Sequence, residues 1–291
     1  MYTHVTHAGF TSAIASTEAA EPGRLEGESF NVSTSSASST GTATIDGDDV
    51  ALRFDGLSMV FADGTHALDN VSFSIRGGEF VTVVGPSGCG KSTLLRVASG
   101  LERNATGTCE VDRESIGYVF QDATLLPWRT VQRNVELIAE LHHMPRDERA
   151  RRAGEAIELV GLDGHQDKHP KQLSGGMKMR CSLARSLFMD PKVFLFDEPF
   201  GALDEISRER LNDELLALFT GVGFAGLFIT HSIAEAVFMS TRVIVMSGRP
   251  GRILADIDIP FEYPRRPELR YEPAFAELSG QVSAYLKEAH G

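Results

Sequence analysis

"EFVTVVGPSGCGKSTLLRVASG" (Glu79–Gly100) decides the fold. Its first part is a β-rich apolar run that stops at Gly85, and its last part carries apolar residues at helical spacing. Between them "GPSGCGKST", residues 85–93, fits the pattern of a glycine, four residues, then Gly-Lys-Ser/Thr. The glycines let backbone N–H groups wrap phosphates, the lysine neutralises their charge, and the hydroxyl after it binds Mg²⁺. Gly85, Pro86, Ser87, Gly88, Cys89, Gly90, Lys91, Ser92 and Thr93 are therefore the candidate phosphate cradle. Cys89 reads as a small loop filler beside the phosphates, because no resolving cysteine accompanies it.

Working outward, "KVFLFDEP" (192–199) and "GLFITH" (226–231) are strands of nearly continuous apolar residues. Such runs suit a parallel sheet covered on both faces. "IGYVFQ" (116–121) and the run beginning "RVIVM" at Arg242 are further strands. Residues 131–187 carry charged and apolar residues at helical spacing, so a mostly helical insertion interrupts an α/β sheet. Asp197 closes one strand, where a carboxylate can hold Mg²⁺ through water, and Glu198 next to it can polarise the attacking water. Ligands of open parallel sheets sit outside the carboxyl ends of the strands. Gln121, Asp197 and His231 are expected to converge there, with His231 reaching a γ-phosphate.

"KQLSGGMKMRCSLARSL" (171–187) raises a second question. Its Ser174-Gly175-Gly176 opens a helix, and a helix start attracts anions through free N–H groups and the helix dipole. One chain thus carries two potential phosphate cradles.

The 291 residues suffice for a sizeable core, and 42% hydrophobic with 23% charged residues is an ordinary globular balance. A net charge of −12 argues against a broad nucleic-acid surface. No apolar run nears the ~18 residues of a membrane span, and the start, which has no Lys or Arg, does not read as a signal peptide. Three scattered cysteines suggest neither a disulfide framework nor a zinc site. Residues 1–48 are rich in Ser and Thr and read as a disordered arm. In the tail, Phe275, Leu278, Val282 and Tyr285 lie at steps of three and four, one apolar helix face for the chain's own core or for a partner. The pair His142-His143 and the run "RDERARR" (146–152) read as solvated helix faces.

Taken together, these motifs resemble the ATP-binding subunits of ABC transporters, from about Val50 to Leu286. The resemblance rests on the phosphate loop, "VFQD" around Gln121, "LSGGM" at the signature, "VFLFDEP", "GALD" (201–204) and "ITHS" around His231. Met177 and Met179 stand where glutamine is common in the family. The resemblance implies a P-loop NTPase (RecA-like) α/β core with a mostly parallel sheet, a small antiparallel β part and a helical signature subdomain at about 122–187. The ATP-binding domain would span 49–265, followed by a helical tail at 266–291. It implies ATP and Mg²⁺ as cofactors, with Ser92, Gln121 and Asp197 at the metal, and Glu198, His231 and Gln121 in catalysis. Phe61 in "MVFADG" matches the aromatic that stacks on adenine. Ser174, Gly175 and Gly176 would bind the ATP held by a second copy, which explains the second cradle through a homodimer closed on nucleotide.

The implied partners are a separate transmembrane permease and a solute-binding protein, not nucleic acid. The implied location is peripheral, on the cytoplasmic face of the membrane. "FQDATLLPWRTVQRNV" and the stretch from Arg249 to Arg270 look like importers for nitrate, sulfonate and taurine, while the segments around Met177 and His231 look like those for thiamine precursors or riboflavin. ABC ATPases that act on chromosomes or ribosomes are the alternative class. The short distance from Lys91 to Ser174, without sustained heptads, and the single set of motifs weigh against them.

Overall fold

In the computed structural model, residues 49–290 are described. The Ser/Thr-rich arm of residues 1–48 lies outside them. In chain order the elements are β1 (Val50–Val60), β2 (His66–Arg76), β3 (Phe80–Val84), α1 (Lys91–Ala98), β4 (Thr106–Val111), β5 (Ile116–Val119), α2 (Val131–Val135), α3 (Leu137–Leu141), α4 (Arg146–Leu159), α5 (Gly175–Leu187), β6 (Val193–Asp197), α6 (Glu205–Val222), β7 (Ala225–Ile229), α7 (Ile233–Met239), β8 (Arg242–Met246), β9 (Ile253–Asp258) and α8 (Pro273–His290).

A six-stranded sheet runs β5-β6-β7-β3-β8-β9, and a three-stranded sheet runs β2-β1-β4. In the larger sheet all neighbours pair in parallel except β8 and β9; the smaller sheet is antiparallel. The stretch between α1 and β5 therefore supplies β4 to the small sheet rather than a hairpin of its own.

The apolar runs divide by parity, because successive side chains of a strand point to opposite faces. Phe80 and Val84 of β3, Phe194 and Phe196 of β6 and Phe228 of β7 join one core with α6, α7 and α8. Val81, Val83, Val193, Leu195, Ala225, Leu227 and Ile229 join the other, with α1 and the antiparallel sheet. Both faces are covered, so no polar alternation survives in these strands. Gly226 is needed where it stands: a Cβ there would lie 2.7 Å from the Phe80 ring.

A third core belongs to the helical region. Val131 and Val135 of α2, Ala153 and Ile157 of α4, and Cys181 and Ala184 of α5 pack together. Its polar side departs from the sequence reading at one place. In the charged run 146–152, Arg149 is buried and pairs with buried Glu136 at 3.2 Å. His142 and His143 are exposed, as expected, at the end of α3.

The tail helix α8 seats its apolar face on the chain's own core. Phe275 and Val282 are buried there, with Leu278 and Tyr285 packed beside them. Buried Arg265 secures the segment before it by donating to the carbonyls of Val237, Phe238 and Ser240 at the end of α7.

Candidate functional site

The strand β3 delivers the chain to the loop 85–90, and α1 leaves from it at Lys91. Gly88 and Gly90 have φ of +75° and +98°, which favour glycine. A Cβ at Gly90 would also fall 2.6 Å from the Ala67 carbonyl oxygen. The loop is thus pressed against β2 with no room for a side chain. Lys91 is 6% exposed. Its ammonium donates to the carbonyls of Gly85 (2.8 Å) and Pro86 (3.0 Å), which centres the charge within the loop. Cys89 is buried behind it, and burial raises its thiol pKa, so it is a poor nucleophile.

A cavity of about 330 Å³ opens on this loop, lined by Phe61, Thr65, Ala67, Ser87, Gly88, Gly90, Lys91, Ser92, Thr93, Glu198 and Arg249. Its floor is chemically mixed. One wall is the half-buried Phe61 ring just past β1, and the rest is mostly backbone, hydroxyls, a lysine, an arginine and a carboxylate. That composition suits a ligand with a flat apolar end and an anionic end.

Asp197 stands at the end of β6, next but one to β3 in the sheet. Its carboxylate accepts from Ser92 Oγ at 2.8 Å and from the Tyr118 hydroxyl at 3.3 Å. Burial raises its pKa most, against the lowering effect of the hydrogen bonds from Ser92 and Tyr118; Glu198 adds to the rise and Lys91 opposes it. The Ser92 and Asp197 oxygens are hard donors on one spot. Mg²⁺ takes few protein oxygens and completes its shell with phosphate and water, so this pair fits Mg²⁺. Among the described residues no three His, Cys, Asp or Glu side chains cluster as a self-sufficient metal site.

Glu198 follows, with φ +46°. Its N–H donates to the Ile229 carbonyl at 3.0 Å, so the strained backbone is pinned to β7. Its Oε2 lies 3.1 Å from Nδ1 of His231, two residues beyond β7. Gly201 leaves space beside this pair, since a Cβ there would come within 3.6 Å of Glu198 Oε2 and 3.7 Å of His231 Cε1.

The structure therefore brings Phe61, the loop 85–93, Asp197, Glu198 and His231 to one end of the sheet. Gln121, two residues past β5, is exposed and does not line the cavity. Ser174, Gly175 and Gly176 do not line it either. Ser174 caps α5 by accepting from the Met177 N–H at 3.3 Å, and both Ser174 and Gly175 are exposed. A Cβ at Gly175 would meet the end of the Leu203 side chain at 3.1 Å, which places the signature against the "GALD" segment.

Two residues at the site escaped the sequence reading. Tyr118 is the partner of Asp197; its one available signal was its place on the strand leading to Gln121. Arg249 reaches the cavity from the turn after β8, and no motif of the phosphate loop points to it.

A phosphate loop on a parallel sheet, with Asp and Glu at the end of the strand next but one, defines a P-loop nucleoside triphosphatase. Comparison with known proteins narrows this. The ABC transporter family model matches residues 68–201. An uncharacterized ABC transporter ATP-binding protein of Methanocaldococcus jannaschii is 43% identical, over 82% of this chain and 92% of that protein. A taurine import ATP-binding protein of Rhizobium johnstonii is 41% identical over 81% of this chain and 96% of its own length. An aliphatic sulfonates import ATP-binding protein of Bacillus cereus is 39% identical over 80% and 94%. Among solved structures, the cbiO1 component of an ABC transporter complex from Clostridium perfringens superposes with a TM-score of 0.68 at 28% identity, over 84% of this chain and 98% of that one. A dimeric ATP-binding cassette bound to ADP and Pi gives 0.64 at 30% identity, over 72% and 100%. This chain belongs to the ABC transporter ATP-binding family and is an ATPase.

Proposed function

We propose that this chain is the ATP-hydrolysing subunit of an importer, that it works as a homodimer closed on two nucleotides, and that it drives a separate permease. One observation carries the shared-site reading: the Ser174 loop is exposed, and none of it lines the Lys91 cavity of its own chain. A second copy arranged about a two-fold axis would present that loop to the cavity.

Within each site, Lys91 and the amides of 85–93 hold the phosphates, and Phe61 stacks on the adenine. Ser92 and Asp197 would hold Mg²⁺, and the ion would supply neutralising charge to the phosphates. Glu198 accepts the proton of the water that attacks the γ-phosphorus as the bond to the β-phosphate oxygen breaks. His231 orients the Glu198 carboxylate, to which its ring is adjacent, and faces the γ-phosphate.

The solute is a small one of the nitrate, sulfonate and taurine class. The names of the relatives that import taurine and aliphatic sulfonates favour an organosulfonate over a thiamine precursor or riboflavin. Among the described residues no helix is long and apolar enough to cross a membrane, in keeping with a peripheral subunit on the cytoplasmic face, served by a solute-binding protein on the other side. Trp128 is 71% exposed, in the segment after Gln121. A large exposed aromatic suits burial at an interface, and we assign it to the permease contact. Trp128→Ala keeps ATP binding and melting temperature and loses co-purification with the permease; unchanged co-purification removes the assignment.

The test of the shared site is light scattering after size exclusion, with and without Mg-ATP. Glu198→Gln retains ATP and accumulates the dimer, since mass action favours the state that binds ligand best. Adding Ser174→Arg returns it to monomer. A Glu198→Gln dimer indifferent to Ser174→Arg refutes the shared site.

A further inference from the structure

The turn between β8 and β9, "SGRPGR" (247–252), carries two arginines with opposite fates. Arg252 is consumed within the fold: its Nε donates to Asp69 Oδ2 on β2 at 2.8 Å, and a terminal nitrogen bonds the same oxygen. Ser247 braces the turn from inside, its hydroxyl donating to the Pro250 carbonyl and accepting from the Arg252 N–H, both at 2.9 Å. Gly251 donates to the Ala67 carbonyl at 2.9 Å and accepts from the Asp69 N–H at 3.0 Å. It also passes so close to the phosphate loop that a Cβ would sit 2.0 Å from the Cys89 carbonyl oxygen. The turn is thus fastened both to β2 and to the loop 85–90.

Arg249 is held on this anchored turn and lines the cavity beside Ser87, Gly88, Lys91 and Ser92. Its Nε donates to the Gly88 carbonyl at 3.2 Å. A Cβ at Gly88 would fall 2.9 Å from its Nη2, so the guanidinium lies directly on the loop. The two terminal nitrogens have no hydrogen-bond partner among the described residues. Asp63, on the turn after Phe61, is held below the ordinary carboxylate range by hydrogen bonds from Thr65 first and by the Arg249 charge more weakly. Arg249 therefore has a fixed stem and a free fork, at the place where the cavity is built from phosphate-binding backbone. A guanidinium fork matches phosphate oxygens in a two-point geometry that an ammonium cannot copy.

We infer that Arg249 is a nucleotide-binding residue that donates from its terminal nitrogens to the phosphates, a second cation beside Lys91. This rests on the reading of the cavity as the ATP site. It makes the β8–β9 turn part of the phosphate cradle, although it lies far from that loop in sequence.

The experiment is equilibrium binding of Mg-ADP and Mg-GDP to the full chain, with the nucleotide-free melting temperature measured on every variant. The variants are Arg249→Gln, Arg249→Lys and, as the control, Lys91→Ala. Arg249→Gln weakens both nucleotides by the same factor of about tenfold, the scale of one charge-assisted hydrogen bond. Arg249→Lys recovers part of the loss, and neither moves the melting temperature. Unchanged Mg-ADP affinity in Arg249→Gln, with binding abolished in Lys91→Ala, overturns the inference and leaves the site assignment standing. A loss confined to one base makes Arg249 a base reader and overturns the phosphate contact. A lowered melting temperature that lysine does not restore makes it structural and overturns the inference as well. A Lys91→Ala protein that binds like the parent overturns the site assignment, and with it the role of Arg249.

Discussion

Two helices of this molecule start on glycine-rich loops, and the surroundings of the two starts differ. The α1 start has Gly90 in the left-handed region, no side-chain cap, a nearly buried lysine and two carboxylates from the end of β6, two strands away. The α5 start has Ser174 as its own cap, lies in solvent and rests on Leu203. Both offer backbone N–H groups without helical partners, as every helix start does. The first lies beside the Lys91 ammonium, the Arg249 guanidinium and the Asp197 and Glu198 carboxylates, the groups proposed to hold a phosphate and its metal. The difference teaches that free amides make an anion site only in company, which on the proposed shared site reaches the second loop from a second copy.

The comparison breaks most sharply at the chemistry, which the proposed mechanism gives to the first loop alone. Glu198→Gln lowers turnover about 10²–10⁴-fold, the range of a lost general base, while Mg-ATP affinity stays near that of the parent. Steady-state hydrolysis together with equilibrium binding checks this. A variant that hydrolyses ATP normally removes Glu198 from the mechanism.

The next effect is in stability. Gly90→Ala places a side chain at φ +98° and 2.6 Å from the Ala67 carbonyl, a backbone atom that cannot swing away. It costs about 2–4 kcal/mol, the scale of a strained backbone plus overpacking, seen in denaturant unfolding. Gly175→Ala meets only the flexible end of Leu203 at 3.1 Å. It costs the monomer less than about 1 kcal/mol, yet on the proposed shared site it weakens ATP-driven dimerisation, because Gly175 belongs to the exposed loop offered to the second copy. Equal stability losses in the two alanine variants would erase the distinction between the loops.

The smallest effect belongs to the arm. Removing residues 1–45, whose composition cannot bury an apolar core, leaves hydrolysis and melting temperature as they were. A drop in either gives the arm a place in the fold.

The phosphate loop was legible because its requirements are local. Glycines at 88 and 90, a lysine at 91 and a hydroxyl at 92 serve one another across a few residues, and a strand must precede them for the loop to be presented. Asp197 and Glu198 were legible because they end an apolar run whose length marks a buried strand. The amphipathic tail was legible as a helix face but not in its destination, since Phe275 and Val282 would serve a partner as well as the chain's own core. Arg149 was misread as solvated, because burial of one arginine in a charged run depends on Glu136, at the junction of α2 and α3. Arg249 gave no local sign and Tyr118 only its place on the strand before Gln121, because each acts on a residue supplied by a different part of the chain.

By itself the sequence determined the class of chemistry, an ATPase on a phosphate loop, and it proposed an aspartate for the metal and a glutamate for the base, each a short pattern whose parts interact across neighbouring residues. Only the tertiary structure decided which parts share a site. The strand order β5-β6-β7-β3-β8-β9 sets Asp197 of β6 and the turn after β8 on either side of the loop after β3. The place of β3 in that order arises from parallel pairing with segments more than a hundred residues away, Val81 with Arg242 and with Leu227. Such pairing is selected by burial of both sheet faces at once, a property of the assembled core that no short window of the chain contains.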